Sequence, residues 1–124
     1  MQFKAVYPIS GEDTSALPVR DIGPAVEFYQ TVLGFTWVSG DDSTAVLRRD
    51  GTQIGLVRKA DHKPTEAGSC CFDVDDLDAA HRELDGRGLD RSEIRIDEWN
   101  GRKYRVFFLR EDENGYCFCF SQPA

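Results

Sequence analysis

Four cysteines stand in two close pairs, Cys70-Cys71 and Cys117-Phe118-Cys119, and they are the residues best suited to chemistry in this chain. Deprotonated thiols bind soft metals and pair by oxidation. Neither spacing is the C-x-x-C of a zinc knuckle or a thioredoxin-type motif, so free thiols lining a core are the simpler expectation. The two histidines offer less: His62 falls in a polar stretch and His81 on a helical pattern, neither at ligand spacing, so both are expected in plain surface or helix-face roles. Asp73, Asp75, Asp76 and Asp78 form an acidic run without the loop glycine and closing glutamate of an EF-hand, which fits a solvated helix start. No glycine-rich phosphate loop and no G-x-S-x-G elbow is present.

Aromatic side chains are the stronger candidates for holding a ligand: Trp37, Trp99, Tyr104, Phe107, Phe108 and Phe118. Trp99, beside a turn, is suited to stacking on a planar molecule. Trp37, Tyr104 and Phe107 are expected to add stacking surface, with Asp73 and Glu98 favouring positive charge. Phe107 and Phe108 are adjacent in an extended pattern, so they should face opposite ways.

The elements that position these residues come in two copies. LPVRDIGPAVEFYQTVLGF (17 to 35) lies over FDVDDLDAAHRELDGRGL (72 to 89), each with alternating apolar residues, an aspartate (Asp21 or Asp76) and a helical stripe. Ala25, Phe28, Tyr29, Val32 and Leu33 make the first stripe, after Pro24 and before Gly34; Leu77, Ala80 and Leu84 make the second, before Gly86 and Gly88, with Arg82 and Glu83 on the exposed side. Three strand patterns follow each helix: FTWVSG, STAVLRR and TQIGLVR, then EIRIDEW, KYRVFFL and YCFCF. Gly40-Asp41-Asp42, Asp50-Gly51, Asn100-Gly101 and Asn114-Gly115 mark the tight turns. Residues 1 to 9 alternate at Phe3, Ala5 and Tyr7, an extra edge strand with no assigned place.

The fold class is therefore α+β, one domain over residues 1–124 built of two βαβββ modules, about 13–59 and 68–121, joined by a linker at 60–67. Each sheet has a helix on one face, and the other faces curl around a groove. Alternation turns Leu17, Val19, Phe72 and Val74 towards the helices, and Thr14, Ala16, Ser69, Cys71, Asp73, Cys117 and Cys119 towards the groove.

Composition limits what fills that groove. The chain has 124 residues with 40% apolar and 30% charged, the make-up of a folded globule. Twenty-two acidic against 15 basic residues give a formal charge of −7, which disfavours nucleic acid and anionic membrane as partners. Without a long apolar run, a cytoplasmic protein is expected.

LPVRDIGPAVEFYQTVLGF, SCCFDVDDLDAA and DENGYCFCF together resemble the vicinal-oxygen-chelate family, which includes glyoxalase I, bleomycin resistance proteins and extradiol dioxygenases. Asp21, Phe28, Tyr29, Leu33, Gly34 and Phe35 carry the match over residues 13 to 121. The resemblance implies the paired βαβββ fold and, in the family's enzymes, one divalent metal held by His, Gln or Glu on the first and last strands of each module. The positions that correspond are Thr14, Gly55, Ser69 and Cys119, a set that cannot supply three good ligands. LPVRD, SCC followed by DDL, and Glu98-Trp99 before Gly101 are similar to the metal-free bleomycin-resistance branch of dimeric binders. The resemblance thus implies a metal-independent small-molecule binding protein, with a cationic or aromatic antibiotic as a ligand class, no cofactor and a homodimer. The alternative is a metal-dependent lyase or dioxygenase-type enzyme with nonstandard ligands such as Cys119, Cys71 or Glu98.

Overall fold

The computed structural model describes residues 1–10, 13–85, 87 and 91–124. Each half runs strand, helix and three strands. The first comprises β2 (Leu17–Val19), α1 (Ile22–Thr31), β3 (Thr36–Gly40), β4 (Thr44–Arg49) and β5 (Thr52–Arg58). The second comprises β6 (Ser69–Val74), α2 (Leu77–Glu83), β7 (Arg95–Trp99), β8 (Arg102–Arg110) and β9 (Cys117–Pro123). In both, the opening strand lies parallel to the closing one, β2 on β5 and β6 on β9, while the remaining neighbours are antiparallel hairpins. The repeat in the sequence is thus a repeat in topology.

The N-terminal alternation is a strand, β1 (Phe3–Pro8), and it has a definite place. It pairs antiparallel with β6, so the second sheet has five strands in the order β1-β6-β9-β8-β7 against β2-β5-β4-β3 in the first. Phe3 is what fixes it: its ring sits among Phe35, Phe72 and Phe120 at 5.2 to 5.9 Å, with the Arg49 guanidinium 4.3 Å over its face. Its backbone N–H donates to Asp50 in the β4–β5 turn, tying the strand to the other half.

Helix boundaries follow local chemistry. Asp76 caps α2 by accepting from the Ala79 N–H at 3.1 Å, whereas Asp21 stands at the start of α1 without making that bond. Helix α1 stops at Thr31, so Val32 and Leu33 extend the apolar stripe from beyond the helix; Gly86 and Gly88, expected to stop α2, lie outside the described residues. Ala25, Tyr29 and Leu33 from the first half and Leu77, Ala80 and Leu84 from the second join Leu17, Leu47, Leu56, Phe72, Phe107, Phe118 and Phe120 in one buried cluster that draws on both sheets. Burial on this scale is the main source of stability.

An ion pair also spans the halves. Arg49 at the end of β4 donates to both oxygens of Glu83 on α2, at 2.7 and 2.8 Å, and to the Leu33 carbonyl at 2.7 Å. Glu83, expected on the open side of α2, is instead its anchor to the first half, because the long guanidinium reaches across from β4.

Candidate functional site

Alternation on the five-stranded sheet separates two faces. One packs on the core. On the other, the strand pairings bring into register Tyr7 with Cys71, Cys71 with Cys119, Cys119 with Phe108, Ser121 with Val106 and Asp73, and Tyr104 with Asp97. Cys71, Val106 and Cys119 are buried at the floor of this outer face, covered by Tyr7, Tyr104 and Phe108. Trp99 continues it at the end of β7, 39% exposed, its ring 6.2 Å from that of Tyr104. Of the residues expected to face a groove, Ser69, Cys71, Asp73, Cys117 and Cys119 share the parity of this outer face, while Thr14 and Ala16 lie before β2, at the edge of the other sheet.

The polar groups on the floor are linked. Cys71 Sγ lies 3.3 Å from Ser121 Oγ, and the Tyr7 hydroxyl 3.4 Å from the same oxygen. Hydrogen bonds, first from Cys119 and then from Ser121 and Tyr7, hold the Cys71 thiol below its ordinary range, at about 7, against the opposing effect of burial. The same contact pushes the Cys119 thiol up, and burial pushes the Tyr7 hydroxyl up. At the β7 edge, the Arg95 guanidinium stands 4.7 Å over the Phe108 ring and pairs with Asp97 at 3.1 Å. By alternation Arg102 and Arg110 flank this face as well, so its charges are mixed rather than acidic.

The expected ligand residues are divided by this geometry. Asp73, Trp99 and Tyr104 share the outer face. Phe107 does not: it is fully buried on the core side, stacked on Phe120 at 4.7 Å and edge-on to His81 at 4.9 Å, and Phe108 takes the outer place. Glu98 pairs with Lys103 on the core-side parity of β7, so the carboxylate on the outer face is that of Asp97, one residue earlier. The alternation around Trp99 was the signal that could have found it. Trp37 is half-exposed on β3, the edge strand of the other sheet, and stands in register with Leu47 rather than with this group. A recess of about 280 Å3 opens beside Tyr104, lined by Arg102, Lys103, Pro123 and Ala124. A roomier cleft of about 510 Å3 lies at Arg49 and Glu83, but those charges already satisfy each other.

Both histidines have structural work. His81 accepts a place on the α2 face, with Nε2 3.0 Å from the Ser92 carbonyl and Arg91 against it. His62 departs from the surface role expected of a linker residue: it is buried, stacked 6.0 Å from Tyr116, with Nε2 2.9 Å from the Asn114 carbonyl.

A metal of the kind implied by the resemblance does not fit. At Gly55 the segment before β2 crosses directly over the strand: the Gly55 N–H donates to the Thr14 carbonyl at 3.0 Å, and a Cβ there would meet the Ser15 carbonyl oxygen at 2.0 Å. No side chain has room at that position. Cys119 Sγ contacts the Phe120 carbonyl, and among the described residues no three His, Cys, Asp or Glu side chains converge as a metal set. Cys119, Cys71 and Glu98 accordingly do not assemble into a nonstandard one.

Comparison with known proteins places this geometry. A bleomycin-binding protein complexed with bleomycin superposes with a TM-score of 0.77 at 23% identity, over 93% of this chain and 100% of the other, a likeness of fold. The bleomycin-binding protein of bleomycin-producing Streptomyces verticillus, complexed with copper(II)-bleomycin, gives 0.65 at 26% identity over 86% and 90%. A homoserine kinase of Mesorhizobium japonicum is 33% identical over 67 residues, 54% of this chain, which spans about a fifth (20%) of the length of that curated relative. The sequence pattern of the Glyoxalase/Bleomycin resistance protein/Dioxygenase superfamily matches residues 13–120. With that match over the paired βαβββ halves, the chain belongs to the glyoxalase/bleomycin resistance protein/dioxygenase superfamily.

Proposed function

We propose that the protein is a metal-independent small-molecule binder whose ligand stacks on the outer face of the five-stranded sheet. The observation that carries this is the Trp99–Tyr104 pair, an exposed indole beside a half-buried phenol on a face floored by buried Cys71, Val106 and Cys119. Rings held on strands offer large contact area at small entropic cost. Because Asp73 and Asp97 are offset by Arg95, Arg102 and Arg110, stacking rather than net charge selects the ligand. A planar aromatic molecule fits, and the bleomycin bound by the similar bleomycin-binding proteins is the first ligand to try.

The misfit at Gly55 and Cys119 supports independence from metal. Ile9, Trp37, Val38, Val57, Ile96 and Trp99 are large apolar side chains left exposed on a single chain, which favours a homodimer whose second copy completes the groove. In the cytoplasm the four thiols would stay reduced.

Elemental analysis of untagged protein dialysed against chelator, paired with calorimetry using metal-free bleomycin, tests the proposal. Saturable binding by metal-free protein, lost on Trp99→Ala, is the expected result. Stoichiometric zinc, nickel, iron or manganese surviving dialysis, with ligand binding dependent on it, overturns it. Absence of binding at micromolar bleomycin removes that antibiotic, and a screen of planar cationic aromatics that leaves Trp99 unperturbed removes the site.

A further inference from the structure

A further cavity, of about 210 Å3, lies away from the outer face, between α1 and the β8–β9 connection. Phe28 and Tyr29 wall one side; Glu111, Asp112, Glu113 and Asn114 wall the other. It has room for several water-sized groups. Three of its polar side chains are buried, Tyr29 at 2% exposure, Asn114 at 3% and Glu111 at 6%, and among the described residues the Tyr29 hydroxyl has no hydrogen-bond partner. A buried hydroxyl left unpaired costs stability, so an unmet partner there calls for an explanation.

The cavity wall is held from several directions. The Asn114 N–H donates to the Glu111 carboxylate at 2.7 Å, and the Arg20 N–H donates to Asn114 Oδ1 at 3.0 Å. Tyr116 donates to the Pro18 carbonyl at 2.7 Å. Gly115, at φ +85°, sits so close to Pro64 that a Cβ would meet its carbonyl oxygen at 2.2 Å. A loop fixed this way pre-forms its binding groups. Among the described residues three carboxylates line the cavity and no basic side chain does. Burial raises the Glu111 carboxyl, the response of a carboxylate short of a counter-charge. Among the described residues no three carboxylate, thiol or imidazole groups converge for a metal ion.

We propose that this cavity binds the head group of a small organic cation, an alkylammonium, with the Phe28 ring on one side of the charge and Glu111 on the other. Aromatic faces attract ammonium groups, more strongly when desolvated, and a buried carboxylate supplies the opposite charge. A primary or secondary ammonium would also give the Tyr29 hydroxyl the donor it lacks. This site is separate from the outer-face groove and stands whether or not that groove binds a ligand.

Titration of the full chain with dimethylammonium chloride at constant ionic strength, followed by the aromatic NMR signals of Phe28 and Tyr29, tests it, with isopropanol as a neutral probe of similar shape. Saturable shifts with the cation and not the alcohol are expected, and Glu111→Gln should weaken binding by about fivefold or more. Phe28→Leu, which keeps an apolar side chain, should weaken the cation alone, and serves if Glu111→Gln fails to fold. Asp97→Asn on the outer face should change nothing here. Absence of saturable shifts, equal response to the alcohol, shifts confined to Trp99 and Tyr104, or unchanged affinity in a folded Glu111→Gln or Phe28→Leu protein would each overturn the proposal.

Discussion

Phe107 and Phe108 are neighbours on β8 with opposite duties, because the pleat sends one ring into the core and the other onto the outer face, where we propose that the ligand binds. Phe107→Ala should therefore cost about 3 to 5 kcal/mol of stability, measured by denaturant unfolding, while Phe108→Ala should cost far less stability and weaken ligand binding. The thiol pair gives a second residue-scale expectation. Since the Cys119 hydrogen bond is the largest influence holding Cys71 low, Cys119→Ala should raise the Cys71 thiol from about 7 towards its ordinary value of 9.0, read as a shift in thiolate ultraviolet absorbance with pH. An unmoved titration would contradict the linkage. At this scale the sequence was legible in part. Alternation alone put Cys71, Asp73 and Cys119 together on the face away from the core, but one residue of phase exchanged Phe107 for Phe108 and Glu98 for Asp97, because a period of two gives no absolute direction without a fixed turn.

Among the elements, the two helices and the strands behind the Asp-Gly and Asn-Gly turns were legible because periodicity and turn chemistry agree there. The strand β1 was visible as alternation but could not be placed, since pairing with β6 across about seventy residues leaves no local mark. Its energetic weight rests on Phe3. Phe3→Ala should destabilise the fold by about 3 to 5 kcal/mol, a large share of the total for a domain of this size, and thermal unfolding would show it. A value near zero would mean that β1 is a loose end after all. The buried place of His62 had no local signal either, because linker composition says nothing of the Tyr116 ring that covers it.

For the whole molecule, the Arg49–Glu83 ion pair between halves makes a pH-dependent contribution. The hydrogen bonds from Arg49 hold the Glu83 carboxyl below its ordinary value of 4.5. A carboxylate with a lowered folded value adds stability that is present above 4.5 and lost as pH falls through the folded value. Glu83→Gln should therefore unfold more easily at neutral pH and lose less on acidification than the native chain, as urea titrations at several pH values would report. The proposed ligand face depends on the same architecture, since β7 and β8 hold Trp99 and Tyr104 only while the sheet behind them is packed. Fluorescence of Trp37→Phe protein, in which Trp99 is the remaining tryptophan, tests that face most directly when chelator-treated protein is titrated with metal-free bleomycin and related planar cationic aromatics. Saturable quenching at micromolar ligand is the predicted result; a Trp99 signal indifferent to every such ligand, or responsive only after a metal is restored, would contradict it.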